Sequence, residues 1–322
     1  MRSSHYRLGN TLVWVLRNRL GDISRQTCCD TTVTENESDP SVLRSVAEQL
    51  AAEAADFVRR RRREVFGDAA TGDNGSATGH NGSAGEGAVR SKSTPTDPVT
   101  VVDTETERLL RERLAQLRPG EPILGEEEGG RAGVREGQLT WVLDPIDGTV
   151  NFVYGIPFYA VSVGVQLDGD SLAGAVADVP AGTVYSAARG HGAHLRRDGA
   201  TSVIRCSDAG DLSMALIGTG FSYSSEQRLR QAELLTRVLP AVRDVRRVGS
   251  CALDLCMVAA GRLDGYYEDG VNVWDWAAAA LIATEAGARV WLPPRDGAVG
   301  GGGRVAAAAP GIADAFHAAI TG

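Results

Sequence analysis

Apolar positions along this chain follow two different periods. Behind Asp39 and Pro40, an N-cap with proline in the first turn, the residues Leu43, Val46, Leu50, Ala54, Phe57 and Val58 recur at helical spacing. They predict an amphipathic helix whose basic end, Arg59 to Arg63, is a solvated terminus complementing the helix dipole. From Pro98 onward, short β-like runs alternate with helical ones: a run at 99–102, a helix through Leu109, Leu110, Leu114 and Leu117, then a strand at 139–143. Further strands are predicted at 159–167, 173–179 and 183–188, separated by Asp-Gly and Pro-Ala-Gly turns. The last third repeats the alternation, with a strand at 215–218, helices at 226–238 and 250–260, a strand at 263–268 and a helix at 275–286. Such alternation predicts layered α/β or α+β packing, in two subdomains spanning 39–205 and 206–322.

Two stretches fall outside the periods. Residues 1–38 predict a poorly ordered extension, and 67–90, rich in Gly, Ala, Ser, Asn and Thr, predicts a flexible insertion. The glycosylation patterns at Asn74 and Asn81 lie in that insertion and carry no weight without a secretory signal. The early apolar run 12–16 is too short to span a bilayer or to serve as a signal peptide, so the chain reads as cytosolic with no membrane partner.

Composition narrows the partners. With 322 residues, 43% hydrophobic and 23% charged, the chain is of globular type, and its net charge of −8 argues against general nucleic-acid binding. Its five cysteines, Cys28, Cys29, Cys206, Cys251 and Cys256, are odd in number and lack paired metal-ligand spacing, which suits a reducing compartment.

Candidate chemistry concentrates where the 139–143 run meets Asp144-Pro145-Ile146-Asp147-Gly148-Thr149. Pro145 restricts the backbone between two carboxylates that can converge on hard cations, and Gly148 leaves room for an anion. If a helical turn begins there, the N–H groups around Gly148 and Thr149 face a phosphate. Taken alone, the segment reads equally as an Asx turn. Gly125-Glu126-Glu127-Glu128 follows another short apolar run, and by itself is an ordinary charged loop. Trp274-Asp275 opens an Ala-rich helix, where Asp275 also suits an N-cap; Asp103 invites the same reading before the Leu109 helix.

Together these segments resemble the inositol monophosphatase family. Asp144 to Thr149 and Trp274-Asp275 with its Ala-rich helix look like the two family signatures. Between about 40 and 320 the family order also includes Lys92, the run from Asp97 to Asp103, Gly125-Glu126-Glu127, Gly249-Ser250 and Glu268. The resemblance implies an alternating α-β-α-β-α sandwich and a magnesium-dependent phosphoric monoester hydrolase acting on a small phosphorylated polyol, inositol monophosphate first. It further implies that Glu126, Asp144 and the Ile146 carbonyl hold one magnesium, that Asp144, Asp147 and Asp275 hold a second, and that a third, weaker ion rests on Glu126. Water near Glu126 and Thr149 becomes the nucleophile, with Asp103 supporting the Thr149 hydroxyl. Asp147, Gly148, Thr149, Gly249, Ser250, Cys251, Glu268 and Lys92 are implied to surround the substrate. A homodimer and sensitivity to lithium follow from the same resemblance. Fructose 1,6-bisphosphate, histidinol phosphate and 3′-phosphoadenosine 5′-phosphate are the rival substrates, and a non-catalytic RNA- or protein-binding module is the rival of another class.

Overall fold

The first long element starts where the sequence signals it. In the computed structural model, which describes residues 38–67, 89–91, 98–130, 137–294 and 303–322, the Asp39 carboxylate accepts the Ser41 N–H at 2.7 Å and caps helix α1 (Pro40–Phe66). All described residues belong to the unit Glu35–Gly322 of the two into which the chain divides. Residues 1–37 of the predicted extension 1–38, nearly all of the 67–90 insertion and Lys92 lie outside the described residues.

A small antiparallel pair, β1 (Val89–Ser91) and β2 (Pro98–Thr100), precedes helix α2 (Val101–Leu117). The β-like run at 99–102 therefore ends two residues early. Thr100 caps α2 through its side chain, and Asp103 returns a bond to the Thr100 N–H at 2.9 Å. Asp103 is thus the third residue of a capping box, which corrects the N-cap reading.

Seven strands follow: β3 (Ile123–Gly125), β4 (Leu139–Asp147), β5 (Ala160–Leu167), β6 (Asp170–Asp178), β7 (Thr183–Ala188), β8 (Ala193–Arg197) and β9 (Ala200–Ile204). A short helix α3 (Thr149–Tyr154) sits between β4 and β5. The strands form one sheet in sequence order, antiparallel except for the parallel pair β3–β4. The β8–β9 hairpin was not foreseen, because its two five-residue strands mix apolar and polar residues without a sustained alternation.

The remaining chain supplies β10 (Leu216–Thr219), α4 (Ser225–Val238), β11 (Asp244–Arg246), α5 (Cys251–Ala259), β12 (Gly265–Asp269), α6 (Val273–Glu285), β13 (Arg289–Trp291), β14 (Arg304–Ala308) and α7 (Ala313–Thr321). Its five strands make a second sheet in the order β11-β10-β12-β14-β13.

Alternation along the strands builds the layers. On β4, Trp141 and Leu143 join the core under α1 and α2, whereas Val142 joins the core around α5 and α6. On β12, Tyr266 faces α5 and α6 while Tyr267 packs with Phe316 of α7 and Leu234 of α4. The result is an α-β-α-β-α sandwich, with α5 and α6 as the middle layer. Every residue of β4 is buried because helices cover both faces of its sheet, which explains why its apolar residues fall on both faces rather than alternating with exposed ones.

Small residues let the middle layer approach closely. A Cβ on Gly174 would lie 2.7 Å from Ala278 Cα, and one on Gly164 would lie 3.1 Å from Ala277 Cβ. The Ala-rich character of α6 is therefore a packing requirement of a helix pressed between two sheets.

Candidate active site

The site is assembled at the end of β4 and the starts of three helices. The β4–β5 register shifts between Asp144 and Asp147, so the strand end departs from regular pleating where its carboxylates occur. Asp144 Oδ1 accepts the Ile146 N–H at 3.0 Å, the local Asx geometry foreseen as the modest alternative. Gly148 then adopts a left-handed conformation with φ 96°, and a Cβ there would stand 3.1 Å from the carbonyl oxygens of Gly249 and Phe158. Thr149 begins α3.

Distant segments complete the arrangement. Asp275 lies at the third position of α6, where its carboxylate accepts the Asn272 N–H at 2.5 Å. Asn272, rather than Asp275, is the N-cap. One carboxylate oxygen from each of Asp144, Asp147 and Asp275 lies within 4.8 Å of the others. Glu126 lines the same cleft, which has a volume of about 480 Å³ and also includes Ile146, Gly148, Thr149, Gly249, Cys251 and Glu268.

Crowding of like charge shapes the electrostatics. Burial first, then the charges of Glu126, Asp147 and Asp275, push Asp144 well above the usual carboxylate range. Asp275 is raised by the same causes, burial before the charge of Asp147. Burial lifts Asp147 to about 7, although hydrogen bonds from Ser250 Oγ and the Ala252 N–H, both 2.6 Å, oppose the shift. Without a counter-charge these acids would hold protons near neutral pH.

A hard cation fits the donor set. All three clustered groups offer oxygen, and the buried Asp144 Oδ2 has no hydrogen-bond partner among the described residues. Buried carboxylate oxygens ordinarily have a partner, and a divalent ion supplies one.

Thr149 adjoins this cluster. Its hydroxyl has two acceptors in reach, Asp103 Oδ1 at 3.2 Å and the Ile146 carbonyl at 3.0 Å. Asp103 is fully buried on α2, and burial raises it to about 7 against the opposing bond from Thr100. Elsewhere in the cleft lining, Glu268 Oε2 accepts the Tyr266 hydroxyl at 2.5 Å. A Cβ on Gly220 would fall 1.9 Å from Glu268 Oε2, so the bare backbone of residue 220 makes the space for that carboxylate.

The predicted residues thus come together unequally. Glu126, Asp144, Ile146, Asp147, Gly148, Thr149, Gly249, Cys251, Glu268 and Asp275 line one cleft. Ser250 is buried behind it and donates to Asp147, while Asp103 reaches the cleft only through Thr149. Sequence reasoning passed over Asn151, whose amide donates to the Phe158 and Val248 carbonyls at 2.8 and 2.9 Å and ties α3 to the 248–249 turn. It also passed over Arg247 and Ser222, which line the cleft. The position of Asn151 two residues past the Asp144–Thr149 motif was the one signal available for it; nothing local marked the other two.

Comparison with known proteins agrees with this arrangement. The profile of the Inositol monophosphatase family matches residues 39–321. Inositol-1-monophosphatase of Mycobacterium leprae (strain TN) is 65% identical over 291 residues, covering 89% of this chain and 96% of the relative. The solved structure of Mycobacterium tuberculosis SuhB superposes with a TM-score of 0.72 at 60% identity, covering 88% of this chain and 97% of that one. A more distant relative, the Nus factor SuhB of Pasteurella multocida (strain Pm70), is 37% identical over 195 residues, covering 60% of this chain and 71% of the relative. With its sandwich of two sheets and its acid-lined cleft, the chain belongs to the inositol monophosphatase family.

Proposed function

We propose that this enzyme hydrolyses an inositol monophosphate, with myo-inositol 1-phosphate first, to inositol and phosphate in a magnesium-dependent reaction. The observation that carries the reading is the convergence of Asp144, Asp147 and Asp275 within 4.8 Å around a buried, unpartnered carboxylate oxygen. Asp144, Asp147, Asp275, Glu126 and the Ile146 carbonyl are the groups that would hold magnesium. Bound there, magnesium supplies positive charge against the phosphoryl oxygens and acidifies water.

The chain's own residues perform the rest. The N–H groups at Gly148 and Thr149, where α3 begins on the cleft lining, would donate to a phosphoryl group, while the absence of a side chain at Gly148 is required by the Gly249 and Phe158 carbonyls, 3.1 Å from where a Cβ would stand. Thr149 Oγ1 can accept a proton from water while passing its own toward Asp103 Oδ1, 3.2 Å away. Glu126 lines the same cleft and would help hold that water. Glu268 accepts hydroxyls of the polyol, and the backbone at Gly249 and Cys251 flanks the ring. The leaving oxygen takes up a proton from solvent.

Parallel assays of inositol 1-phosphate, fructose 1,6-bisphosphate, histidinol phosphate and 3′-phosphoadenosine 5′-phosphate, with and without chelator, test the substrate. A clear preference for either of the last two would overturn the inositol assignment. The Asp275→Asn variant tests the chemistry: turnover should collapse while the fold persists. Unchanged turnover would count against its metal role. The Nus factor name of the Pasteurella relative keeps the non-catalytic reading in view. The full complement of acids in this cleft favours hydrolysis.

A further inference from the structure

We infer that Glu107 is a positioning residue for the Glu126 loop and sets how tightly the site takes up magnesium. The inference rests on the reading of the acid cluster as a magnesium site. Glu107 lies one turn beyond Asp103 on α2 and is fully buried. Its Oε2 accepts the Glu127 N–H at 2.7 Å, and its Oε1 accepts the Glu128 N–H at 3.0 Å.

Arg111, a further turn along, donates from Nε to Glu107 Oε1 at 2.9 Å and from Nη2 to the Gly129 carbonyl at 2.6 Å. The Gly125 N–H donates to the Gly129 carbonyl at 3.0 Å, and the Glu126 N–H to the Leu143 carbonyl at 3.2 Å. Every backbone N–H from Gly125 to Glu128 is therefore committed, half of them to one carboxylate. Gly125 has no choice of residue, because a Cβ there would lie 2.2 Å from Glu107 Oε1.

This network fixes the direction in which Glu126 leaves the backbone. Asp103 and Glu107, one helical turn apart, let a single helix brace both Thr149 and the Glu126 loop. A buried carboxylate is costly unless fully bonded, and here two amides and a guanidinium satisfy it. Removal of one such supporting partner weakens metal affinity by about 10–100-fold in metalloproteins.

Glu107→Gln in the full chain replaces an acceptor with an N–H group facing a backbone N–H. Calorimetric titration with magnesium chloride should show uptake weakened about tenfold or more. Turnover of the variant should rise with magnesium well beyond the concentration that saturates the wild type. Wild-type magnesium uptake in a variant of lowered Tm would make Glu107 merely structural and overturn the inference. Should Glu107→Gln fail to fold, Glu107→Asp, which keeps the charge against Arg111, carries the same test: weakened uptake supports the inference and unchanged uptake overturns it. Absence of magnesium uptake by the wild type would instead defeat the metal reading beneath it.

Discussion

Thr149 Oγ1 lies 3.2 Å from Asp103 Oδ1, although the two residues are 46 positions apart. The contact joins the start of α3 to the first turn of α2, and so couples the cleft to a carboxylate that does not itself line it. Asp103→Asn keeps an oxygen for the helix cap but removes the charge that receives the threonine proton. Its kcat should fall about 100-fold, the ordinary contribution of one proton-transfer partner, with a smaller change in KM. Steady-state kinetics beside a melting curve decide this; a wild-type kcat would remove Asp103 from the reaction.

The pH dependence of stability has a defined sign. Asp103 and Asp147 are each raised to about 7 in the metal-free fold, chiefly by burial, whereas in the unfolded chain they titrate near the ordinary aspartate value. The folded state therefore holds these protons over a range in which the unfolded state has lost them. The associated stability is complete below the unfolded value and is lost as pH rises through about 7. Chelator-treated protein should melt at a higher temperature at about pH 5 than at about pH 8. Magnesium should raise Tm more at the higher pH, where the acids are ionised. A Tm that rises with pH in chelator would contradict the assignment.

Gly220→Ala probes polyol recognition without touching the acid cluster. The added methyl would fall 1.9 Å from Glu268 Oε2, so the carboxylate must swing away. KM for inositol 1-phosphate should rise about tenfold, roughly the loss of one hydrogen bond to a charged group. Hydrolysis of p-nitrophenyl phosphate, which has no polyol hydroxyls, should change less. Equal effects on both substrates would remove Glu268 from hydroxyl recognition.

Gly174→Ala tests the middle of the sandwich. Its Cβ would meet the Ala278 backbone at 2.7 Å, and a helix held between two sheets cannot retreat far. Urea denaturation should report a loss of about 1–3 kcal/mol, the usual cost of overpacking. No loss would mean that α6 shifts freely over β6.

Periodicity alone located most long elements. α1, β4, β7, α4 and α5 begin and end within a few residues of their hydrophobic patterns, because each presents a continuous face or core to a neighbour. β8 and β9 escaped notice for the opposite reason: pairing along the sheet edge holds them, with β8 only partly buried and β9 largely exposed. Short elements near the C-terminus, β13, β14 and α7, were also missed, since β13 spans only three residues and the alanines of β14 and α7 weaken any periodic signal.

By itself the sequence determined the family, the order of the layers' components and the identity of the acids, since motif spacing and apolar period are local properties of the chain. Only the tertiary structure decided that Ser250 turns to Asp147 and that Glu107 braces the Glu126 loop. Those are choices among hydrogen-bond partners far apart in sequence. A buried carboxylate takes whichever donors the packed layers bring to it, and local pattern carries no record of that.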